Sequence, residues 1–329
     1  MRDALLQDLS ELPYEIMTTF DVRLTPPTLC TACVAVNKND DVWQIWQTKM
    51  QAADAVWVIA PETGGMLKKL TQMAEKSKLN ELQPQGLSPQ NIPAKAGYSS
   101  VKGPLVLGCG LASIEITSKK MATYLALEAA GIASIPTYTF ENWPKSHWIW
   151  LAKPNDGAGC SDTACFNNPD DLENWIEDNH KQMTHVIQAF QPGDAASISC
   201  VMQRGKAHLL SCNSQTIEIN NQMLSYTGGV VNGMRDYWPQ FEFIANKIAQ
   251  ALPSLAGYVG IDVIVDDDEI IVVEINPRLT TSYIGLRESI VANPAELIIN
   301  TLTQPDFVWP TLQRNLVSLE VNLEVNIDA

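Results

Sequence analysis

Three polar residues interrupt two apolar, β-rich runs in the last quarter of the chain. The runs are Gly257-Tyr258-Val259-Gly260-Ile261-Asp262-Val263-Ile264-Val265 and Ile270-Ile271-Val272-Val273-Glu274-Ile275-Asn276-Pro277-Arg278, with an acidic turn from Asp266 to Glu269 between them. Such a pattern predicts a β-hairpin. Glu274 and Asn276 are two apart, so on a strand they share a face. Asp262 joins that face if the hairpin pairs 262 with 274, which makes Asp267, Asp268 and Glu269 a three-residue loop. In that register Ile261, Val263 and Val265 lie with Ile271, Val273 and Ile275 on an unbroken apolar face. The opposite face presents three oxygen ligands in a row, with Arg278 just beyond. Hard oxygen donors beside a guanidinium are what Mg²⁺-bound phosphates require. A single carboxylate near a strand end is commonly just solvated. The set of four on one face, stopped by Pro277, favours a site.

Other segments could meet the same phosphates. Lys153 closes a predicted strand and precedes Pro154-Asn155-Asp156-Gly157-Ala158-Gly159-Cys160-Ser161. Gly157 and Gly159 let backbone N–H groups approach an anion closely, and a Lys beside them neutralises phosphate oxygens. Alone, this segment also reads as a plain β-turn. It is neither a Walker loop, since no Gly-Lys-Ser/Thr follows, nor a Rossmann fingerprint. Lys120, at a helix start after Ser118, is a second phosphate candidate, with a solvated surface Lys as the alternative. Gln188-Ala189-Phe190-Gln191-Pro192-Gly193-Asp194 leaves one strand and enters another. Its main-chain groups suit an adenine edge, and an ordinary strand connection is the alternative.

Three units position these residues. Residues 1–114 read as an α/β lobe: helix 2–11, strand Glu15–Phe20, helix Val42–Met50, buried strand Ala55–Ala60, helix Met66–Lys76, loop Gln83–Pro93 and strand Val101–Leu107. Residues 115–187 hold a helix Lys119–Ala130 capped by Ser118 and ended by Gly131, an extended stretch Ile132–Phe140, the strand Trp148–Lys153 and a helix Leu172–Asn179. Residues 188–329 follow a strand at His185–Gln188. They hold an antiparallel meander (Ser197–Gln203, His208–Asn213, Gln215–Ile219), a Gly loop at Thr227–Gly229 and a helix Gln240–Leu252. The hairpin, a helix Asn293–Leu302 and a strand Leu316–Val325 complete them.

The chain has 329 residues, more than one compact core accommodates. A formal charge of −15 and a pI of about 4.6 argue against nucleic acid and anionic membranes as partners. They do not exclude a nucleotide, because local Lys, Arg and Mg²⁺ overcome a global field. No apolar run approaches the roughly 20 residues of a membrane span, and the start Met1–Asp8 is not a signal peptide, so a cytoplasmic protein is expected. The seven Cys are an odd count in a large chain, which predicts no disulfide scaffold. Cys30-Thr31-Ala32-Cys33 has metal or redox spacing, but no second pair or His spacing accompanies it. Cys160 and Cys165 read as small fillers.

Taken together, the order of these elements resembles the ATP-grasp superfamily over about residues 50–290. The motifs are Lys-Pro-x-x-Gly-x-Gly, a hinge strand, and Gly-x-Asp followed by Glu-x-Asn-Pro-Arg. Ala60-Pro61-Glu62-Thr63 and Glu274 through Tyr283 are similar to a narrower branch, which includes a tyramine–glutamate ligase of methanofuran-type cofactor synthesis. The resemblance implies an α/β ATP-grasp fold with an N-terminal pre-ATP-grasp lobe. It makes Lys120 and Lys153 the nucleotide lysines and residues 157–161, with Gly157, Gly159 and Ser161, the loop over the phosphates. Gln188, Ala189 and Phe190 become the adenine hinge, with Asp194 near the ribose. Asp262, Glu274 and Asn276 become ligands of two Mg²⁺ ions, with Mn²⁺ as a substitute, and Arg278 the contact to the γ-phosphate and an acyl phosphate. Two departures stand out: the hinge begins with Gln where Glu is common, and Lys119 stands where an Asp often precedes the first Lys.

The implied activity is ATP-dependent joining of a small carboxylate to a small amine, with Arg278 and Lys153 acting on the transferred phosphoryl group. Glutamate and an aromatic amine such as tyramine are the implied substrates. Arg23, Glu62, Arg235, Tyr283 and Arg287 are the candidates for binding them, since an Arg clamps a free carboxylate bidentately. A homo-oligomer is compatible with all of this. A non-catalytic ATP-binding or sensing module on the same fold is the alternative, because fold alone does not fix function.

Overall fold

A computed structural model describes residues 1–77, 104–145, 149–157, 159–267 and 269–320. The first part of the chain forms α1 (Arg2–Ser10), β1 (Met17–Asp21), β2 (Ala32–Val36), α2 (Val42–Ala52), β3 (Ala55–Val56), α3 (Met66–Lys76) and β4 (Leu105–Val106). Then come α4 (Leu111–Thr117), α5 (Lys120–Ala129), β5 (Thr137–Tyr138), β6 (Trp150–Pro154), β7 (Ala164–Phe166), α6 (Pro169–Asp178) and β8 (His185–Ala189). The last part holds β9 (Asp194–Gln203), β10 (Lys206–Asn220), β11 (Met223–Val231), α7 (Trp238–Ala251), β12 (Gly257–Asp266), β13 (Glu269–Asn276), α8 (Tyr283–Ile290), α9 (Pro294–Thr303) and β14 (Val317–Glu320).

Local chemistry sets several boundaries. Asp41 accepts from the backbone N–H groups of Trp43 and Gln44 at the start of α2. Asn168 and Asn293 cap α6 and α9, each followed by a Pro in the first turn. One antiparallel sheet runs β13-β12-β9-β10-β11-β7-β6-β8-β5, with β14 added to β11. Its two parts meet where Met223 pairs with Ala164. The N-terminal residues contribute two separate parallel pairs, β1 with β2 and β3 with β4.

Alternation along the strands divides the core. On one face Phe241, Ala245 and Ile248 of α7 pack with Ile198, Cys200, Met202, Ile261 and Val263. On the other, Val201, Leu210 and Tyr258 pack with Leu286, Ile290 and Ile298, and with Leu5 of α1. Each large side chain buried this way contributes about 1.5–3 kcal/mol. A third cluster joins Trp150 and Ala152 of β6 to Leu172 and Ile176 of α6. Leu151 and Lys153 therefore point to the other side of β6, where Gln188 and Val186 lie opposite them.

The hairpin forms with Asp262 opposite Glu274, as expected. Its tip differs from the expected three-residue loop: Asp266 pairs with Glu269, because Val263 pairs with Val272 and Val273 is an extra residue, a β-bulge. The bulge exchanges faces beyond it. Val272 is fully buried with Ile261, Val263, Val265 and Ile275, whereas Ile271 and Val273 are only half-buried.

Other departures have local causes. The predicted Gly loop Thr227–Gly229 lies inside β11, where both glycines are strand residues close to neighbouring backbone. The two meander segments 208–213 and 215–219 are one long strand, β10. Two short helices, α4 and α8, were not expected, and the strand predicted at 55–60 is confined to Ala55–Val56. Ser118 does not cap α5: Lys119 occupies the N-cap position, and the Ser118 hydroxyl is buried without a hydrogen-bond partner among the described residues. Cys30 and Cys33 are paired in a local disulfide rather than forming part of a metal site. The loop Gln83–Pro93, the first part of the strand 101–107, Trp148, and the end of the strand 316–325 lie outside the described residues. Among the described residues, no helix is long and apolar enough to cross a membrane.

Candidate active site

Pairing across the hairpin puts Asp262 and Glu274 side by side. Asp262 accepts hydrogen bonds from Gln215 Nε2 and Asn276 Nδ2, both at 2.9 Å. Burial pushes the Asp262 carboxyl up to about 7, and the neighbouring Glu274 adds to the shift. Glu274 goes the other way. Burial opposes its ionisation, but Lys120 and Lys153 outweigh that and hold it below the usual carboxylate range. Lys120 Nζ sits 3.4 Å from Glu274 Oε2 and donates to the Gly157 carbonyl at 3.0 Å.

Both lysines are buried rather than solvated. Asn155 positions the first. Its carbonyl accepts from the Lys120 N–H at 2.8 Å, and its Oδ1 accepts from the Met121 N–H at 3.1 Å. The turn after β6 thus holds the start of α5. Burial lowers the affinity of Lys153 for its proton, and Glu274 counteracts this. Lys153, on the face of β6 opposite the Trp150 cluster, thus feels the charge of the hairpin carboxylate.

Among the described residues, no cluster of three or more His, Cys, Asp or Glu could hold a metal ion. A divalent cation at the hairpin would have two carboxylates, with the Asn276 amide oxygen and phosphate oxygens completing its shell. An all-oxygen, incomplete donor set of this kind suits Mg²⁺, which retains open positions for phosphate and water. Asn276 turns its nitrogen toward Asp262 and its oxygen toward Arg278, and a half-turn of the amide would reverse them.

The Asp262 shift has a testable sign. Its proton is held more tightly in the folded protein than in the unfolded chain, where Asp titrates near 4. Between about pH 4 and 7 the folded form binds more protons, so this group lowers stability as pH rises through that window. A bound cation requires the deprotonated form. Mg²⁺ should therefore raise the melting temperature more at pH 8 than at pH 6. Equal increments in thermal melts at the two pH values would remove Asp262 from the ligand set.

Arg278 links the hairpin to the N-terminal part. Its Nε donates to Glu62 Oε2 at 2.8 Å, one terminal nitrogen to the Leu279 carbonyl at 3.1 Å, and the other to Asn276 Oδ1 at 3.3 Å. Gly157 and Gly159 lie in the loop after β6. Gly159 has φ +64°, and a Cβ at Gly157 would come within 3.0 Å of Pro154. Ser161 is exposed. Asp162 anchors the end of the loop through Lys181 and through His185 Nε2 at 3.2 Å. Burial, then Glu274, raises the Cys160 thiol, so it is protonated at neutral pH and unsuited to be a nucleophile.

At the hinge, Gln188 is 2% exposed and its Nε2 donates to Thr137 Oγ1 at 2.9 Å. The Thr137 proton is committed to the Ile135 carbonyl, which fixes the amide orientation and leaves Gln188 Oε1 buried without a partner among the described residues. The Phe190 N–H bonds the Ile149 carbonyl at 2.8 Å, so Ala189 and Phe190 continue the strand edge. Gly193 turns the chain at φ +127°, where a Cβ would lie 2.5 Å from the Val265 carbonyl. Asp194 is exposed at the start of β9.

Of the five residues considered for substrate binding, only Glu62 joins this set. Exposed Arg23 pairs with Asp21, and Arg235 donates to the Arg314 carbonyl at 3.0 Å. The Tyr283 hydroxyl and Arg287 Nε both bond Asp8 of α1 at 2.6 Å, and Arg287 also grips Glu11. These two fasten α1 to α8. Gln215 and Asn155 were not foreseen as site residues. Gln215 looks like one more polar residue in a half-exposed strand, and only the cross-strand register reveals it.

Comparison with known proteins gives a consistent result. Residues 117–282 match the ATP-grasp domain, and residues 14–82 match the pre ATP-grasp 3 domain. The chain is 31% identical over 253 residues to a tyramine–L-glutamate ligase of Methanocaldococcus jannaschii, an alignment covering 76% of this chain but 63% of that protein. It is 30% identical over 261 residues to the enzyme of the same name from Methanocaldococcus fervens, covering 79% and 70%. Among solved structures, the biotin carboxylase domain of Hydrogenobacter thermophilus 2-oxoglutarate carboxylase, in complex with MgADP and bicarbonate, is similar at a TM-score of 0.71. That likeness covers 95% of this chain and 70% of the other at 12% identity, and concerns the fold alone.

Proposed function

The chain belongs to the ATP-grasp family, and from that premise we propose that it is an ATP- and Mg²⁺-dependent carboxylate–amine ligase. A substrate carboxylate oxygen attacks the γ-phosphorus of ATP, the bond to the β-phosphate oxygen breaks, and ADP leaves. The neutral amine nitrogen then attacks the acyl carbon, phosphate departs with the bonding pair and takes up the proton the nitrogen sheds, and an amide remains. The observation that carries this reading is the meeting of Asp262, Glu274, Lys120, Lys153 and Arg278 around one hairpin. Phosphoryl transfer needs positioning and charge neutralisation more than a protein nucleophile.

Asp262, Glu274 and Asn276 would hold Mg²⁺, in two ions, with Mn²⁺ as a substitute. Bound there, the metal supplies charge neutralisation at the phosphates. Lys120 and Lys153 bind phosphate oxygens, and Arg278 stabilises the transferred phosphoryl group. Residues 157–161, including Gly157, Gly159 and Ser161, cover the phosphates and keep water from the acyl phosphate. Gln188, Ala189 and Phe190 border the adenine, and Asp194 lies toward the ribose. Glutamate as carboxylate and tyramine or a similar aromatic amine as acceptor are supported by the names of the two relatives. The division at 1–114, 115–187 and 188–329, a cytoplasmic location and a homo-oligomer belong to the same proposal.

Product analysis tests the route. With ATP, Mg²⁺ and glutamate, ADP and phosphate should form, and hydroxylamine in place of the amine should trap a glutamyl hydroxamate. AMP and pyrophosphate, formed with the correct substrates, would overturn the acyl-phosphate route. A hydroxamate from another carboxylate but not glutamate would keep the ligase class and change only the donor.

A further inference from the structure

Among the described residues, Glu62 is the only carboxylate with a fully buried oxygen that has no hydrogen-bond partner. The residue is 4% exposed and sits just before the short turn leading into α3, across from the C-terminal hairpin. Its Oε2 is satisfied by Arg278 at 2.8 Å, whereas Oε1 is bare. A carboxylate oxygen accepts about two hydrogen bonds, and leaving one buried and unmade is unfavourable. The neighbouring thiol does not answer it: Cys109 Sγ donates to the Ala256 carbonyl at 3.2 Å.

We infer that Glu62 Oε1 is the docking point for an ammonium group of a substrate, placed beside the guanidinium of Arg278. The chemistry of the surroundings selects this ligand. Glu62 and Glu274 act on one another as like charges, so an anion at Oε1 would be repelled from both. A cation with N–H donors meets an acceptor that is already desolvated and whose other oxygen Arg278 already holds. The two oxygens of Glu62 share one carbon. A nitrogen bonded to Oε1 is therefore held beside the Arg278 guanidinium, from which Oε2 accepts. In the ligase reading, on which this inference rests, that guanidinium contacts the acyl phosphate. Two sources present an ammonium there: the amine acceptor, which gives up one proton to solvent before its nitrogen attacks, or the α-ammonium of an amino-acid donor.

Glu62→Gln tests the assignment, because the amide keeps an oxygen for Arg278 and loses the charge. KM should be measured separately for ATP, glutamate and tyramine, with glutarate as a donor lacking the α-ammonium. Titration calorimetry of glutamate and tyramine, with a non-hydrolysable ATP analogue bound, reads the subsite without turnover. The expected result is a rise of about ten- to a hundredfold in KM and Kd for one ammonium-bearing substrate, the range of a lost charge-assisted hydrogen bond, with the ATP KM within about threefold. A rise for tyramine assigns the acceptor. A rise for glutamate, without one for glutarate, assigns the donor. A fall in kcat with every KM and Kd unchanged would overturn the inference and leave Glu62 as a support for Arg278 alone. Wild-type protein that binds an ammonium substrate through Glu62 but never releases ADP would defeat the ligase reading and keep the subsite. If the Gln variant is unstable in thermal melts, Glu62→Asp retracts the carboxylate by one methylene and gives the same comparison.

Discussion

Glu274→Gln lowers turnover at saturating ATP and Mg²⁺ by at least about a hundredfold, the scale of losing one electrostatic stabiliser. The two side chains have the same shape, so the loss is one of charge. Glu274 lies 3.4 Å from Lys120 and across the hairpin from Asp262, and it feels the charge of Lys153. It is the carboxylate that these lysines keep ionised, and so the one ready for a cation at neutral pH. Folding should weaken by about 1–3 kcal/mol, because the buried Lys120 and Lys153 lose the carboxylate that faces them and readier ionisation of Asp262 offsets only part of that. Steady-state ADP release and a thermal melt on the same preparation check both halves. Unaltered turnover would place the phosphate chemistry away from the hairpin.

Arg278→Met should abolish turnover and also destabilise the fold. Arg278 is 13% exposed and Glu62 4%, so removing the guanidinium strands a buried carboxylate. Breaking a buried pair from one side costs about 3–5 kcal/mol. The Glu62 carboxyl is already pushed up by burial against the pull of Arg278, and without that pull it will take up a proton. Adding Glu62→Gln to Arg278→Met should then recover part of the lost stability. Urea unfolding of the two single variants and the double variant gives the coupling directly. A single Arg278→Met variant that unfolds at the wild-type midpoint would mean that the bridge does not hold the N-terminal part against the hairpin.

Much of the hairpin was legible because apolar and polar residues alternate there, and alternation fixes faces. Asp262, Glu274 and Asn276 could be placed together by counting. The bulge at Val273 could not, because Ile270 through Val273 are all β-branched and any of them fits either side. Lys120 was found by its position at a helix start, but its burial depends on the carbonyls of Asn155 and Gly157, more than thirty residues on. The substrate candidates show the limit most clearly. Arg23, Arg235 and Arg287 have the right chemistry, yet the nearest carboxylates or carbonyls take them up. Residue type gives the possible partner; only the three-dimensional path of the chain decides which partner is met.

The clamp between α1 and α8 also sets a clock on synthesis. Asp8 meets Tyr283 and Arg287 across 275 and 279 positions of sequence. At a ribosomal rate of about 5–20 residues per second, α1 waits roughly fifteen seconds to a minute before its docking surface has been made. Over that interval Leu5 and Leu6, both buried in the finished protein, have no lasting place to go. Chaperones that hold short apolar segments should engage the nascent chain at this N-terminal helix, and release it only after residue 287 has left the exit tunnel.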